Sequence, residues 1–297
     1  MKIVILSKLA PRWLSIGDTS RIAVLVFLFT TLFPAIFAQD LTQLSEQINL
    51  GSVEQKRDAL GKVRNLRSDA SSRLALAALV DSDELVRATA INAIIYLPEP
   101  EVAAALTPLL SDRSEFIRRE AAYALGEARS ASAVSSLCRS VLSDRAAIVR
   151  SAAAAALGKI GNESAIASLA TVLKRNPTSD NELLRRASAR SIGQIAEMSR
   201  FARVSAATPE SFLPEKYKTI ASSSRTDAAS AAFSAALAIL LKVAGNRKET
   251  DDTRREAAFA LGSIGDPSAL PFLRANTGNA DTYLAEICRE ALLKISR

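Results

Sequence analysis

Five arginines, Arg87, Arg118, Arg150, Arg185 and Arg254, each stand seven residues before an aliphatic residue, and four of them stand eight before a glycine. The first three are 31 and then 32 residues apart. A repeat of this length means stacked units that bury their apolar faces on one another, which excludes most globular topologies before composition is considered. The segments VRATAINAII, IRREAAYALG, VRSAAAAALG, LRRASARSIG and TRREAAFALG carry the signal. Apolar and small residues fall three, four, six, seven and ten after the arginine, as at Ala121, Ala122, Ala124, Leu125 and Ala128, which is helical periodicity. A second apolar run follows at 100–110, 132–142, 164–173 and 267–273. Each unit is therefore a helical hairpin, helix A then helix B.

The breaks carry stop and start chemistry. In Ile264-Gly265-Asp266-Pro267, glycine suits the left-handed position that ends a helix, aspartate caps the next one and proline fits its first turn. Ile160-Gly161-Asn162-Glu163 repeats that logic without proline, and the formal glycosylation sequon at Asn162 reads as a helix cap. Gly126, Gly158, Gly193 and Gly262 instead sit inside helix A at one repeated position, where glycine costs roughly 1 kcal/mol of helix propensity. Close approach of a neighbouring helix is the expected reason.

These residues resemble HEAT repeats, in particular the short subclass first associated with phycobilisome lyases, over about residues 52–295 with one interruption. The resemblance implies an all-α fold, an α-solenoid of stacked antiparallel hairpins with the B helices lining its concave side. Asp81, Asp112 and Asp144 lie six residues before Arg87, Arg118 and Arg150, matching the aspartate and arginine ladder that joins successive HEAT hairpins. Bidentate pairing would satisfy both groups, so the arginines are read as ladder rungs rather than as an anion-binding stripe. Arg185 has Asp180 nearby, and Arg254 follows Asp251 and Asp252.

Residues 22–38, IAVLVFLFTTLFPAIFA, are uncharged and follow Lys2, Lys8, Arg12 and Arg21. They read as a secretory signal peptide over 1–38, with an uncleaved anchor as the competing reading. Without that segment 34 basic and 30 acidic residues remain, and the net charge falls from +7 to +4. The excess lies in 198–250, so the body of the repeats is charge-balanced. Cys138 and Cys288 lie on units too far apart to meet in a solenoid, and both read as small buried hydrophobes.

The mature chain, 39–297, is expected to form one solenoid. A leading helix spans 39–50 with Asp40 as its cap, and Ser52 with Gln55 forms a capping box before the first repeat. Repeats follow at about 53–81, 83–112, 114–144, 146–175, 182–246 and 251–275, and the helix at 281–296 closes the stack. The fifth repeat carries an insertion at about 199–226, between a helix ending near Met198 and one starting at Asp227.

Two surfaces are candidate partner sites. The insertion combines Arg200, Arg203, Lys216, Lys218 and Arg225 with Phe201, Phe212 and Tyr217, a basic and aromatic mixture suited to gripping a peptide, an acidic glycan or a nucleic acid. The competing reading is a tolerated surface loop. The B-helix face offers Ser132, Ser135, Ser136, Arg139 and Ser140, then Ser164, Ser168 and Thr171, a hydroxylated and nearly uncharged surface. It suits an extended polypeptide better than DNA, whose binding needs dense Lys and Arg. The competing reading is that Ser and Ala there are only solvent-tolerant filler in an alanine-rich helix.

Catalysis has little support. The chain has no histidine, no CxxC pair, no P-loop and no GxSxG motif. Deoxyhypusine hydroxylases resemble this architecture but need repeated His-Glu pairs. A bilin lyase-like role conflicts with export, and a nucleic-acid role conflicts with the neutral B-helix face. The sequence therefore points to an exported, periplasmic or cell-surface, non-enzymatic scaffold without a cofactor, binding a protein or peptide. An accessory protein binding an acidic envelope polymer is the alternative.

Overall fold

The computed structural model describes residues 40–206 and 231–295, with side chains through Arg200 in the first span. The expected signal segment and insertion residues 207–226 lie outside the described residues. Among the described residues the regular structure is helical, with no strand. Helix α1 spans 40–50, so Asp40 is already helical rather than a cap. Six hairpins follow: α2 (Val53–Leu66) with α3 (Asp69–Leu74), α4 (Glu84–Ala93) with α5 (Glu99–Leu106), α6 (Glu115–Glu127) with α7 (Val134–Ser143), α8 (Ala147–Ile160) with α9 (Ile166–Lys174), α10 (Glu182–Ala206) with α11 (Ala231–Gly245), and α12 (Asp251–Ile264) with α13 (Leu270–Ala275). Helix α14 (Thr282–Ile295) closes the stack. No described helix is long and apolar enough to cross a membrane.

The A helices pack in a continuous row α2, α4, α6, α8, α10, α12, α14, and the B helices α7, α9 and α11 form a second row. The aliphatic residue seven after each arginine, Ile94, Leu125, Leu157, Ile192 and Leu261, is fully buried between the rows. Each contributes about 1.5–3 kcal/mol by leaving water. The repeated glycines mark where A helices touch. A Cβ on Gly126 would lie 2.8 Å from the Ala156 Cα, and one on Gly262 would lie 2.8 Å from the Ala291 Cα. Gly161 and Gly265 end α8 and α12 with positive φ, while Asn162 and Asp266 cap the segments that follow, as their sequence chemistry requires.

Three features depart from the sequence reading. The run 100–110 is not one helix: α5 stops at Leu106 and Thr107–Ser111 is a 3-10 segment. Pro108 lacks an N–H and its ring crowds the preceding turn, so the α-helical ladder cannot continue. Helix α10 runs to Ala206, beyond the expected end near Met198, so Arg200, Phe201 and Arg203 belong to a helix rather than a loop. Cys138 is only half-buried, although Cys288 is fully buried as expected.

The ladder itself is wired differently. The aspartate six residues before each arginine offers that arginine its backbone carbonyl, while its carboxylate serves the preceding unit. Thus Arg118 donates backward from Nη1 to Asp112 O at 3.0 Å and forward from Nε and Nη2 to the Asp144 carboxylate at 2.7 and 2.9 Å. Arg87 donates to Asp81 O at 2.8 Å and sits 4.0 Å from the Asp112 carboxylate, a looser rung that leaves its buried Nε without a partner. Lys56 starts the series on Asp81 at 2.7 Å. Arg185 pairs with Glu249, not Asp180, and donates to the carbonyls of Val172, Leu173 and Arg175. In the sixth hairpin the two roles split. Arg254 reaches back to Ala244 O at 3.1 Å, and Arg255 reaches forward to Asp281 at 2.9 Å.

Candidate functional site

Alternating A and B helices give the solenoid two edges, one made of A-to-B turns and one of B-to-A turns. At the second edge α7 meets the Thr107–Ser111 segment and leaves a groove of about 490 Å³. Ser136, Arg139, Ser140 and Ser143 line it from α7, while Asp112, Arg113, Asp144 and Arg145 line it from the adjoining turns. The two carboxylates are already committed. Asp112 accepts from the Ser114 N–H at 2.8 Å and faces Arg87, while Asp144 accepts from Arg118 and from the Ala146 N–H. Burial pushes the Asp144 carboxyl upward, but the Arg118 hydrogen bonds and the Ala146 N–H outweigh it and hold the group below the usual carboxylate range.

The cations are less committed. Arg113, Arg139 and Arg145 are exposed, and none has a carboxylate within ion-pair distance among the described residues. Arg145 is steadied by one hydrogen bond to Arg113 O at 2.6 Å, which fixes the two successive turns against each other. The groove therefore presents guanidinium donors that receive carboxylates and backbone carbonyls, beside serine hydroxyls of which those of Ser140 and Ser143 already donate within α7.

The expected site residues are distributed unevenly. Arg139 lines the groove and Ser135 is exposed beside it. Ser132 is engaged across the repeat boundary, donating from its hydroxyl to the Glu99 carboxylate at 2.7 Å. Ser140 is buried rather than outward and donates to Ser136 O. Ser168 is half-buried and hydrogen-bonds the Cys138 thiol, whose pKa burial raises and this bond partly lowers. Thr171 is exposed, but its hydroxyl donates to Ala167 O of its own helix at 2.8 Å.

Arg200 is not a free clamp residue, since it donates to Ser263 O at 3.5 Å and Lys294 O at 3.3 Å, tying down the ends of α12 and α14. The backbone of Phe201 and Arg203 continues α10, while Phe212, Lys216, Tyr217, Lys218 and Arg225 lie outside the described residues. Sequence reasoning missed Arg113 and Arg145, although each directly follows a ladder aspartate and was legible as a repeated Asp-Arg step.

A second depression of about 370 Å³ lies on the A row between α10, α12 and α14. Its charges satisfy one another: Arg186 pairs with Asp252 at 2.8 Å, Arg190 with Glu256 at 2.9 Å and Arg255 with Asp281. That network joins neighbouring helices and leaves no uncommitted charge for a ligand. Among the described residues no group of three His, Cys, Asp or Glu is placed to hold a metal.

The HEAT-repeat family matches residues 72–158, and the PBS lyase HEAT-like repeat matches 149–175 and 253–279. No curated protein matches the sequence. Among solved structures, an engineered protein 18% identical aligns with a TM-score of 0.53 over 86% of this chain and 68% of that one. The complex of CpcE and CpcF of phycocyanin lyase from Nostoc sp. PCC7120 is 18% identical, with a TM-score of 0.45 over 86% and 88% of the two chains. Human deoxyhypusine hydroxylase is 19% identical, with a TM-score of 0.37 over 89% of each. At 18% identity the likeness to the engineered protein is one of fold.

Proposed function

Since the chain carries HEAT repeats in an all-α solenoid, we propose that it is a non-enzymatic scaffold holding an extended segment of a protein partner along its B-to-A edge. The observation that carries this reading is the groove at α7, where Arg113, Arg139 and Arg145 have no carboxylate partner among the described residues while the neighbouring carboxylates are taken by the ladder. An extended chain exposes the carbonyls and side-chain oxygens such donors need, and a rigid stack presents them without reordering. The apolar stretch at 22–38 behind four basic residues supports an exported setting. The lack of histidine supports a binding role over acid–base chemistry.

A photo-crosslinking amino acid placed at Ser135, beside the groove, and separately at Arg64, on the opposite edge, tests the proposal in native envelope extract. A protease-sensitive adduct from position 135 and none from position 64 is the expected result. Equal yields from both positions, or none from 135, would sink it. An adduct that resists protease would establish the acidic-polymer reading instead.

A further inference from the structure

The groove is one part of a longer feature. Successive B-to-A turns, or the helix ends that enter them, carry Arg113, Arg145, Lys174 with Arg175, Arg247 with Lys248, and Arg274. All seven are exposed, and none has an ion-pair partner among the described residues. The opposite edge also carries cations, Arg64, Arg67, Arg129 and the Glu127-paired Lys159, but they do not recur in successive units, since its turns at 94–98, 161–165 and 265–269 hold no Lys or Arg. The first of the B-to-A turns is acidic instead, with Asp83 and Glu84 and no Lys or Arg, and Glu115, Asp180 and Glu182 stand among the later cations without cancelling them.

The ladder adds to this charge at one point. Arg150 donates to Asp144 O and Arg145 O, as its counterparts do, but the turn it should reach forward to begins Arg175-Asn176 in place of an aspartate, and its Asp180 does not pair with Arg150. Its forward rung is therefore empty among the described residues.

An apolar row accompanies the cations. Three residues after each of Ser82, Arg113 and Arg145 come Leu85, Phe116 and Ile148, and Leu183 takes the same place in α10. Leu85, Ile148 and Leu183 are 46%, 37% and 60% exposed, and Phe116 is half-buried with the Arg119 guanidinium 4.9 Å from its ring centre. Apolar side chains left in water at one register of four consecutive units form a surface that a partner's apolar residues would cover.

We propose that this edge recognises an extended acidic polypeptide segment whose carboxylates recur about every third residue, with apolar residues between them. The inference rests on the scaffold reading and names the class of its partner. Packed helices stand about 8–10 Å apart, so equivalent turns repeat at that interval. A polyproline-type chain advances about 3.1 Å per residue, so three residues span about 9.3 Å and match it. The apolar row has no use for polyphosphate or a phosphodiester backbone. Duplex DNA carries a charge every 1.7 Å or so, far denser than one or two cations per unit interrupted by carboxylates.

Fluorescence anisotropy on the full chain tests this with a labelled (Glu-Pro-Leu)5 peptide and an isomer holding its five glutamates in one block. The spaced peptide is expected to bind more tightly than the blocked one. R113A/R145A is expected to weaken it about ten-fold and I148S/L183S about three-fold. R64A, on the other edge, should leave affinity unchanged. Circular dichroism confirms that each variant is folded, and R113K/R145K, which keeps the charge, provides a second comparison if the alanine pair unfolds. Equal binding of the two peptides, displacement by polyphosphate at equal charge concentration, or indifference to the edge variants would overturn the proposal. Crosslinking from position 135 without peptide binding would defeat this inference and leave the scaffold reading standing, whereas failure of both would remove both.

Discussion

Glu249→Ala and Asp180→Ala separate the two possible partners of Arg185 and weigh the clasp across the inserted hairpin. Arg185 opens α10, and Glu249 lies 64 residues later in the turn before α12, with both side chains only 2% exposed. Removing one member of a buried pair costs about 3–5 kcal/mol, because the other charge remains desolvated. Arg185 keeps three carbonyl acceptors, on Val172, Leu173 and Arg175, so the lower end applies and Glu249→Ala should cost about 3 kcal/mol. Asp180 is exposed and accepts only a 3.4 Å hydrogen bond from the Ser179 hydroxyl among the described residues, so Asp180→Ala should stay within about 0.5 kcal/mol. Urea unfolding followed by circular dichroism measures both. Hydrogen exchange should show protection lost first in α10 to α12, since a solenoid unit depends on its neighbours. A cost below about 1 kcal/mol for Glu249→Ala, or an equal cost for Asp180→Ala, would refute the reasoning.

Gly262→Leu, which drives a branched side chain into the Ala291 backbone, should destabilise by about 1–3 kcal/mol despite better helix propensity, as thermal melts would show. Acidification should act through the ladder. Asp81 is held low by Lys56, Asp281 by Arg255, and Asp144 by Arg118 against the opposing effect of burial. Depressed carboxylates stabilise the fold above their unfolded pKa of about 4, and that stability is lost as pH falls through their folded values; a urea series from pH 7 to 2 measures it, and Asp281→Asn should flatten the profile. Burial raises the Cys288 thiol to about 11, so it should resist a thiol reagent at pH 8 in the native protein and react once unfolded.

The hairpin period, the A helices, the glycine contacts and the main caps were legible because each depends on residues close together in sequence. A helix buries one face whatever its neighbour, so Leu125 and Leu157 announce their burial through spacing alone. Gly126 and Gly262 announce contact because helix propensity makes glycine costly without a reason. Tertiary structure alone decided which carboxylate each arginine meets. Asp180 and Glu249 are both acidic and both near a helix start, and only stacking brings one against Arg185. The same stacking occupied Ser132 and Arg200 with neighbouring elements, moved Ser140 inside, and gathered Arg113, Arg139 and Arg145 into a groove. Local spacing sets which face of a helix is apolar, but the partner of a polar group on that face is set by distances between units, which the one-dimensional pattern does not contain.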